Sequence, residues 1–264
     1  MASLKEVKGR IASVNSTRKI TSAMKMVASA KLHKAQAAIE SMLPYERRLH
    51  HILTDFMSNC TEVTSPFIVK REVKKVAVVV FASNTSLCGG FNANVIRHLV
   101  DLLAEYKPLG LENILVFPVG KKVADAVRKL GFRIEGDFQH MADKPSYQEA
   151  ADLAADLMKR FLHGDVDKVE LLYNHFKSTA SQILTRETYL PIDLNNEKKE
   201  EERTIDYILE PSAEELMQEM LPKVLRMKMF TVLLDSNAAE HAARTMAMQI
   251  ATDNANELLQ ELTV

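Results

Sequence analysis

The sequence contains no tryptophan, and its 264 residues include only 8 glycines and 2 cysteines. Average usage would supply roughly 18 glycines to a chain of this length. So low a glycine content disfavours a turn-rich sheet protein and favours long helices. The two cysteines, Cys60 and Cys88, form no spacing motif, which argues against a disulfide framework and indicates reduced thiols in a cytosolic type of compartment.

Net charge is also small, at −1, so the total charge indicates no tether to nucleic acid or to a membrane surface. No apolar run approaches the roughly 18 residues that a membrane-spanning helix needs. The first residues include Lys5, Glu6 and Lys8, where a secretory signal would have an apolar core. We therefore expect contact with a membrane only indirectly, through partners.

The first forty residues predict a long helix, because they contain no proline and a single glycine. Apolar residues recur along it at spacings of three and four through Leu4, Val7, Ile11 and Val14. The stripe then resumes at Ile20, Met24, Val27, Leu32, Ala35, Ile39 and Met42. The break after Val14 predicts a coiled-coil seam with a phase slip at 15–18. Eight Lys and Arg against Glu6 and Glu40 make the stretch basic. Such a helix needs a partner helix to be stable.

The middle of the chain alternates strands with helices. The run Val76–Ala82 is continuously apolar and rich in β-branched residues, which is typical of a strand buried on both faces. Further strands are predicted at 114–119, 132–134, 166–173 and 181–190, and helices at 91–106, 121–130 and 147–162. This alternation predicts a Rossmann-like α/β domain with a mainly parallel sheet.

A second long helix is predicted from Ala213 onward. Ser212 and Glu215 have the spacing of a capping box, and Pro222 lies where it would bend the helix. Pro44 either kinks the first helix or begins a new one. Before the last helix, the charged run 195–203 predicts a solvated loop and 204–209 a final strand.

The last helix has a small, apolar stripe of its own: Ala239, Ala243, Met246, Ile250, Asn254, Leu258 and Leu262. Five acidic residues against one arginine in Asp235–Val264 complement the basic first helix. We predict an antiparallel coiled coil of the two terminal helices, with Asn254 buried in its seam to set the register. The predicted domains are an N-terminal coiled-coil helix at 1–58, the α/β domain at 59–210 and a C-terminal coiled-coil helix at 211–264.

The loop Ser83–Gly90, between a strand and a helix, lies where phosphate-binding loops occur. Neither glycine-rich phosphate motif is present, so a structural turn or a partner-contact loop is the better interpretation. Cys88 is predicted to be a buried structural thiol. The histidines lack metal-ligand spacing, and no catalytic triad or carboxylate pair stands out. We predict no catalytic residue, metal or cofactor.

The basic face of residues 5–34 has two possible partners, nucleic acid or another protein. It lacks interleaved aromatic residues, and an acidic partner helix would cancel part of its field. In a coiled coil of only two helices, much of the surface of each helix does not pack against a hydrophobic core. Apolar and basic positions there favour an enclosing protein partner, so we predict no nucleic-acid binding.

Four segments resemble the gamma subunit of F-type ATP synthase: Ile11–Gln36, Ser86–Asn92, Tyr207–Pro222 and Glu240–Leu262. The resemblance covers the whole chain in order. It implies a non-catalytic rotor shaft whose coiled coil lies inside a ring of alternating alpha and beta subunits. It also implies an α/β domain that contacts the epsilon subunit and the c-ring. The complex would couple proton-driven rotation to ATP synthesis or hydrolysis at the cytoplasmic face of a bacterial inner membrane.

The resemblance implies eight partner-contact or coupling residues: Met24, Lys25, Asn84, Thr85, Arg244, Thr252, Asp253 and Asn254. Met24 and Lys25 match positions that face a beta-subunit loop, and Arg244 matches an arginine implicated in coupling. Residues 84–86 stand where the family has D-R-G and carry no charge. The prediction of a charged contact between this loop and a beta subunit is therefore left open. The family continues further past its T-D-N segment, so a sequence ending at Val264 is either a fragment or a chain with a shortened shaft tip.

A second hypothesis comes from another class of protein. It is an α/β phosphate- or nucleotide-binding module with a coiled-coil interaction arm, and it places the ligand at the loop Ser83–Gly90. Nucleotide binding by the isolated chain separates this hypothesis from the rotor shaft.

Overall fold

Two helices of 56 and 51 residues flank the centre of the chain in the computed structural model, which describes residues 4–59, 65–192 and 213–263. The first, α1, runs from Leu4 to Asn59 and continues through Pro44. The last, α6, runs from Ala213 to Thr263 and continues through Pro222. At 1.5 Å per residue they are about 84 and 76 Å long. The predicted cap at Ser212, the loop 195–203 and the strand 204–209 lie outside the described residues.

Between these helices the described residues form the predicted alternation of strands and helices. The elements are β1 (Val76–Phe81), α2 (Phe91–Tyr106), β2 (Ile114–Val119), α3 (Lys121–Leu130), β3 (Arg133–Ile134), α4 (Gln139–Asp143), α5 (Tyr147–His163), β4 (Lys168–Ser178) and β5 (Ser181–Leu190). The limits of α2, α3 and β2 are those predicted. The short α4 was not predicted, and β4 continues past Tyr173 because its polar end pairs with β5 in a hairpin.

The strands form one sheet in the order β3-β2-β1-β4-β5. β1 is central, and it pairs in parallel with β2 and β4, while only β5 is antiparallel. All six residues of β1 are buried, as the continuous apolar run predicted. The prediction of a Rossmann-like, mainly parallel α/β domain between two long helices is confirmed.

The first half of α6 is part of the core of the α/β domain. Its residues Met217, Leu221, Leu225 and Met229 are buried in the cluster that covers one face of the sheet together with α5. Helices α2 and α3 cover the other face. Polar contacts continue this attachment: Tyr189 donates its hydroxyl hydrogen to the Leu225 carbonyl at 2.8 Å. Helix α6 is therefore anchored in the domain before it reaches the coiled coil.

Helices α1 and α6 pack as an antiparallel pair, which confirms the predicted coiled coil. Leu32 and Ala35 of α1 are buried against Ala238 and Ala242 of α6. Further along, the hydroxyls of Thr21 and Thr252 lie 2.8 Å apart, and Arg18 Nη1 donates to Asn256 Oδ1 at 3.4 Å. The facing positions descend on α1 as they ascend on α6, as antiparallel packing requires.

The predicted phase slip at 15–18 is wrong. The buried and half-buried seam of α1 continues without a break through Val14, Arg18, Thr21 and Ala28. Ile20 and Val27, which the prediction placed in the seam, are 60% and 59% exposed. Arg18 and Thr21, which are polar, occupy two seam positions here. A prediction based on apolar residues alone therefore selects Ile20 and Val27 on the neighbouring face of the helix.

The predicted stripe on α6 is also wrong from Ala239 to Asn254, while its last two members, Leu258 and Leu262, are half-buried. Ala239 and Ala243 are buried, but against Cys88 and Phe91 of the α/β domain rather than against α1. Where the domain ends, the continuation of that stripe is exposed, at Met246, Ile250 and Asn254. Asn254 therefore does not set the register from within the seam. Thr252 and Asn256 of α6 instead make polar contacts with Thr21 and Arg18 of α1.

Candidate functional site

The loop 83–90 lies against the side of α6, and we call this contact the junction. Within the loop, Asn92 Oδ1 accepts hydrogen bonds from the Ser83 backbone N–H and hydroxyl, both at 3.0 Å. The Cys88 thiol is buried in the same cluster, which confirms the prediction for that residue. Gly89 has a φ of +59°, and an added Cβ there would lie 3.9 Å from Ala247 Cβ on α6. Loop and helix are thus in close contact.

Arg244 is the polar centre of the junction. It donates hydrogen bonds to the Ser86 carbonyl and, at 2.9 Å, to the Thr85 hydroxyl. Its Nη2 also donates to Glu240 Oε1 at 2.7 Å, one helical turn earlier on α6. The side chains of Arg244 and Glu240 are only 12% and 10% exposed. A buried ion pair of this kind is costly to break from one side.

Asn84 fixes the other side of the loop to the sheet domain. Its Nδ2 donates to the Gln139 carbonyl at 2.8 Å, and its Oδ1 accepts from the Lys121 backbone N–H at 2.8 Å. Asn84, Thr85 and Arg244, which the resemblance assigned to partner contact or coupling, therefore come together in one place. Their observed bonds are made within the chain.

The remaining predicted residues lie along the coiled coil rather than at the junction. Met24 and Lys25 are half-buried on α1, one turn beyond Thr21. Thr252 contacts Thr21, and Asp253 accepts from Gln249 within α6 at 2.7 and 2.8 Å. These positions form a separate group, roughly 12 Å further along α6 than Arg244.

Sequence reasoning missed the buried polar residues on the domain-facing side of α6. Asn237 donates to the Ala142 carbonyl at 2.9 Å, and Glu240 and His241 are buried. The sequence analysis had assigned Glu240 to an acidic outer flank. Its i, i+4 spacing to Arg244 was the signal that could have identified the pair.

Burial shifts both titratable groups beside Arg244. It raises the pKa of Glu240, against the lowering effect of the Arg244 charge. Burial also lowers the pKa of His241 to about 4, assisted by the nearby charges of Lys31 and Arg244. At neutral pH His241 is therefore neutral.

The shifted His241 makes a prediction for stability. Its pKa in the folded chain is below the ordinary value of about 6.5, so between these values the unfolded chain binds the proton and the folded chain does not. The free energy of unfolding should therefore fall as the pH is lowered from 7 to 4, by at most about 3 kcal/mol from this group. We expect His241→Leu to flatten the dependence in denaturant titrations of the full chain at several pH values.

Two comparisons isolate the contribution of His241. Because the pKa of Glu240 is raised, this group stabilises the folded chain as the pH falls, whereas His241 destabilises it. The contribution of His241 is therefore measured as the difference in pH dependence between the parent chain and His241→Leu. His33→Leu, on the exposed side of α1, should leave the slope unchanged. An unaltered slope in His241→Leu would show that His241 is not a buried neutral group.

Three backbone N–H groups at the junction are occupied and cannot bind a phosphate. The Ser83 N–H is bonded to Asn92, and the N–H groups of Phe91 and Asn94 donate to the carbonyls of Cys88 and Gly90. Within the described ranges, no group of three or more His, Cys, Asp or Glu side chains is placed to hold a metal ion.

The coiled coil has large side chains on its outer surface. Ile20, Met26 and Val27 of α1 and Met246 and Ile250 of α6 are exposed. Basic residues of α1 lie among them. No helix in the described part of the chain has an apolar stretch long enough to cross a membrane. Fold and junction together define a long helical shaft attached firmly to an α/β domain.

Comparison with known sequences identifies this class of shaft. The sequence profile of the ATP synthase family matches residues 3–264. The ATP synthase gamma chain of Phocaeicola vulgatus is 80% identical, over 100% of this chain and 92% of that protein. The ATP synthase gamma chain of Bacteroides thetaiotaomicron is 62% identical, with the same coverage of both chains. The chain belongs to the ATP synthase gamma-chain family.

Solved structures share the fold. The chain superposes on a protein of the Euglena gracilis mitochondrial ATP synthase rotor with a TM-score of 0.62 and 18% identity, over 98% of this chain and 94% of that one. The central stalk and c-ring structure of Tetrahymena thermophila mitochondrial ATP synthase gives a TM-score of 0.59 and 23% identity, over 88% of this chain and 99% of that one. At these identities the likeness concerns the fold.

Proposed function

We propose that this chain is the non-catalytic rotor shaft of a bacterial proton-translocating F-type ATP synthase. Its coiled coil turns inside a ring of alternating alpha and beta subunits. Its α/β domain contacts the epsilon subunit and the c-ring at the cytoplasmic face of the inner membrane. The chain itself has no part in the chemistry of ATP, and it meets the membrane only through the complex.

The observation that carries this proposal is the continuity of α6. Its first half is buried in the core of the α/β domain, and its second half pairs with α1. From Ala247 to Thr263 it extends about 25 Å past its contact with the junction. A helix that belongs to both parts turns whenever the domain turns. Rotation at the domain therefore reaches the coiled coil without an intervening linker.

The outer surface of the coiled coil is suited to a surrounding partner. Exposed apolar side chains such as Ile20 and Val27 lie beside basic ones on α1, and the surface differs from one side of the rod to the other. An asymmetric shaft presents a different face to each of three surrounding catalytic subunits. Those subunits then adopt different conformations, and turning the shaft exchanges them in sequence.

We assign the ring contacts of the coiled coil to Met24, Lys25, Thr252, Asp253 and Asn254. All five lie at one level of the rod, around the Thr21–Thr252 pair. Asn254 and Asp253 are exposed there, and Lys25 adds a cation. Asn84, Thr85 and Arg244 remain candidates for coupling, but their observed partners lie within this chain.

Reconstitution tests the proposed function. Alpha and beta subunits of the same complex are assembled with and without this chain, and ATP hydrolysis is measured. We expect stimulated turnover in the presence of the chain and neither binding nor hydrolysis of ATP by the chain alone. Turnover by the isolated chain would exclude the shaft. Micromolar nucleotide binding abolished by changes in the loop 83–90 would instead favour the phosphate- or nucleotide-binding module.

A further inference from the structure

We propose that Glu240 and Thr85 are positioning residues that hold the Arg244 guanidinium, so that Arg244 fastens the loop 83–90 to α6 and adds a second path, beyond the buried half of α6, by which rotation of the α/β domain passes to the shaft. The inference rests on the proposed function for its consequence in rotation. The fastening itself is a property of the isolated chain, and it can be tested there.

The first half of α6 is held in the core of the domain, and the junction is a second attachment further along the same helix. Ala239 and Ala243 contact Cys88 and Phe91, and contacts of small apolar side chains have no preferred direction. Hydrogen bonds do have one, since they weaken steeply away from linear geometry. The bonds of Arg244 to Ser86 and Thr85 therefore fix the angle of α6 about its own axis in a way that the alanines do not.

These bonds belong to a continuous path from the sheet to α6. The loop is held to the domain by Asn84, which bonds to Gln139 and Lys121. Asn237 attaches α6 to the Ala142 carbonyl at the end of α4. Asn237, Glu240 and Arg244 lie three and four residues apart, so one face of α6 carries these three polar attachments. A further attachment is made by Asp235, whose Oδ1 accepts from the Phe176 backbone N–H of β4 at 2.8 Å.

Glu240 determines where the guanidinium points. An arginine side chain has many rotamers and pays entropy to be held in one of them. The bond from Nη2 to Glu240 at 2.7 Å fixes that end on α6, which leaves the planar fork directed at the loop. Because the Arg244 side chain is 12% exposed, little of it remains available to another subunit. Its role in coupling is therefore exerted within the chain.

The first experiment measures hydrogen exchange of the backbone amides of residues 83–92 in the full isolated chain. Glu240→Gln, Thr85→Val and Arg244→Gln each remove part of the fastening, and we expect about 10- to 100-fold faster exchange in that segment. Arg128→Gln is the matched control, since Arg128 makes an exposed ion pair with Asp125 within α3. Unchanged exchange in all three variants would overturn the proposal.

The second experiment uses the assembled complex in vesicles and measures protons pumped per ATP hydrolysed. With Arg244→Gln, hydrolysis should continue while pumping per ATP falls. Gly89→Cys with Ala247→Cys then provides a covalent replacement, because a 3.9 Å separation of Cβ atoms suits a disulfide. Oxidation should restore the pumping ratio in the Arg244→Gln background, and reduction should abolish the recovery.

If Arg244 acted by contacting the ring directly, the cross-link would restore nothing, and that result would overturn the proposal. Failure of the parent chain to assemble with alpha and beta subunits would count against the proposed function instead. The exchange measurement on the isolated chain would still decide whether the fastening exists.

Discussion

Gly120→Ala should lower the free energy of unfolding by about 3–5 kcal/mol. Gly120 joins β2 to α3 with a φ of +113°, a backbone conformation that residues with a side chain rarely adopt. A Cβ there would lie 2.1 Å from the Ala82 carbonyl oxygen, so the end of β1 would have to move. Because the loop 83–90 begins at that point, the change should also weaken the junction. Denaturant titration of the full chain measures the loss.

Gly131→Ala is the matched control. Gly131 also has a positive φ, of +77°, but no atom lies within 4 Å of the position that a Cβ would occupy. In this variant the free energy of unfolding should fall by about 1–2 kcal/mol, the cost of a left-handed backbone at a residue with a side chain. Equal losses in the two variants would mean that the contact with Ala82 contributes nothing and that backbone conformation alone sets the cost.

The second large effect concerns the seam between α1 and α6. Ala242 is fully buried against Leu32 and Ala35, so Ala242→Leu forces the helices apart and should cost about 1–3 kcal/mol. Leu32→Ala leaves a cavity at the same place and should cost about 2–5 kcal/mol. In the double variant the new leucine fills the space that the old one leaves. We expect the double variant to lose less than the sum of the single losses.

Thermal or denaturant unfolding of the four chains provides this double-mutant cycle, and a favourable interaction energy of about 0.5–3 kcal/mol is expected. Ala37→Leu, on the exposed side of α1, should change stability by no more than about 0.5 kcal/mol. Strict additivity of the two seam changes would contradict direct packing of Leu32 on Ala242.

Periodicity was sufficient for the regular elements. The apolar run of β1 and the helical pattern of α2 and α3 identify them because one kind of burial acts along their whole length. The same method failed in the coiled coil, where Arg18 and Thr21 occupy seam positions. Periodicity also failed to assign the buried face of α6, because an alanine packs equally well against the α/β domain and against α1. Ala239 meets the domain and Ala238 meets α1, and composition does not distinguish them.

The junction was visible only in part from the sequence. The resemblance supplied Arg244 and the loop, but the pairing of Arg244 with Glu240 was not predicted, although their i, i+4 spacing is compatible with it. The hydrogen bond between Arg244 and Thr85 joins residues 159 positions apart in the sequence. Local sequence patterns cannot predict a contact between residues so far apart along the chain. The loop partners of Arg244 are a hydroxyl and a carbonyl, groups that occur throughout any sequence. Three-dimensional structure was needed to bring them together.

The antiparallel coiled coil also affects biosynthesis. Arg18 contacts Asn256 across 238 residues, so α1 leaves the ribosome well before the part of α6 that pairs with it. Domains fold as units during synthesis, at about 5–20 residues per second. Leu32 and Ala35 therefore remain without Ala238 and Ala242 while the whole sheet is being made. For tens of seconds the nascent chain presents a long basic segment with an uncovered apolar edge, the kind of surface that chaperones bind.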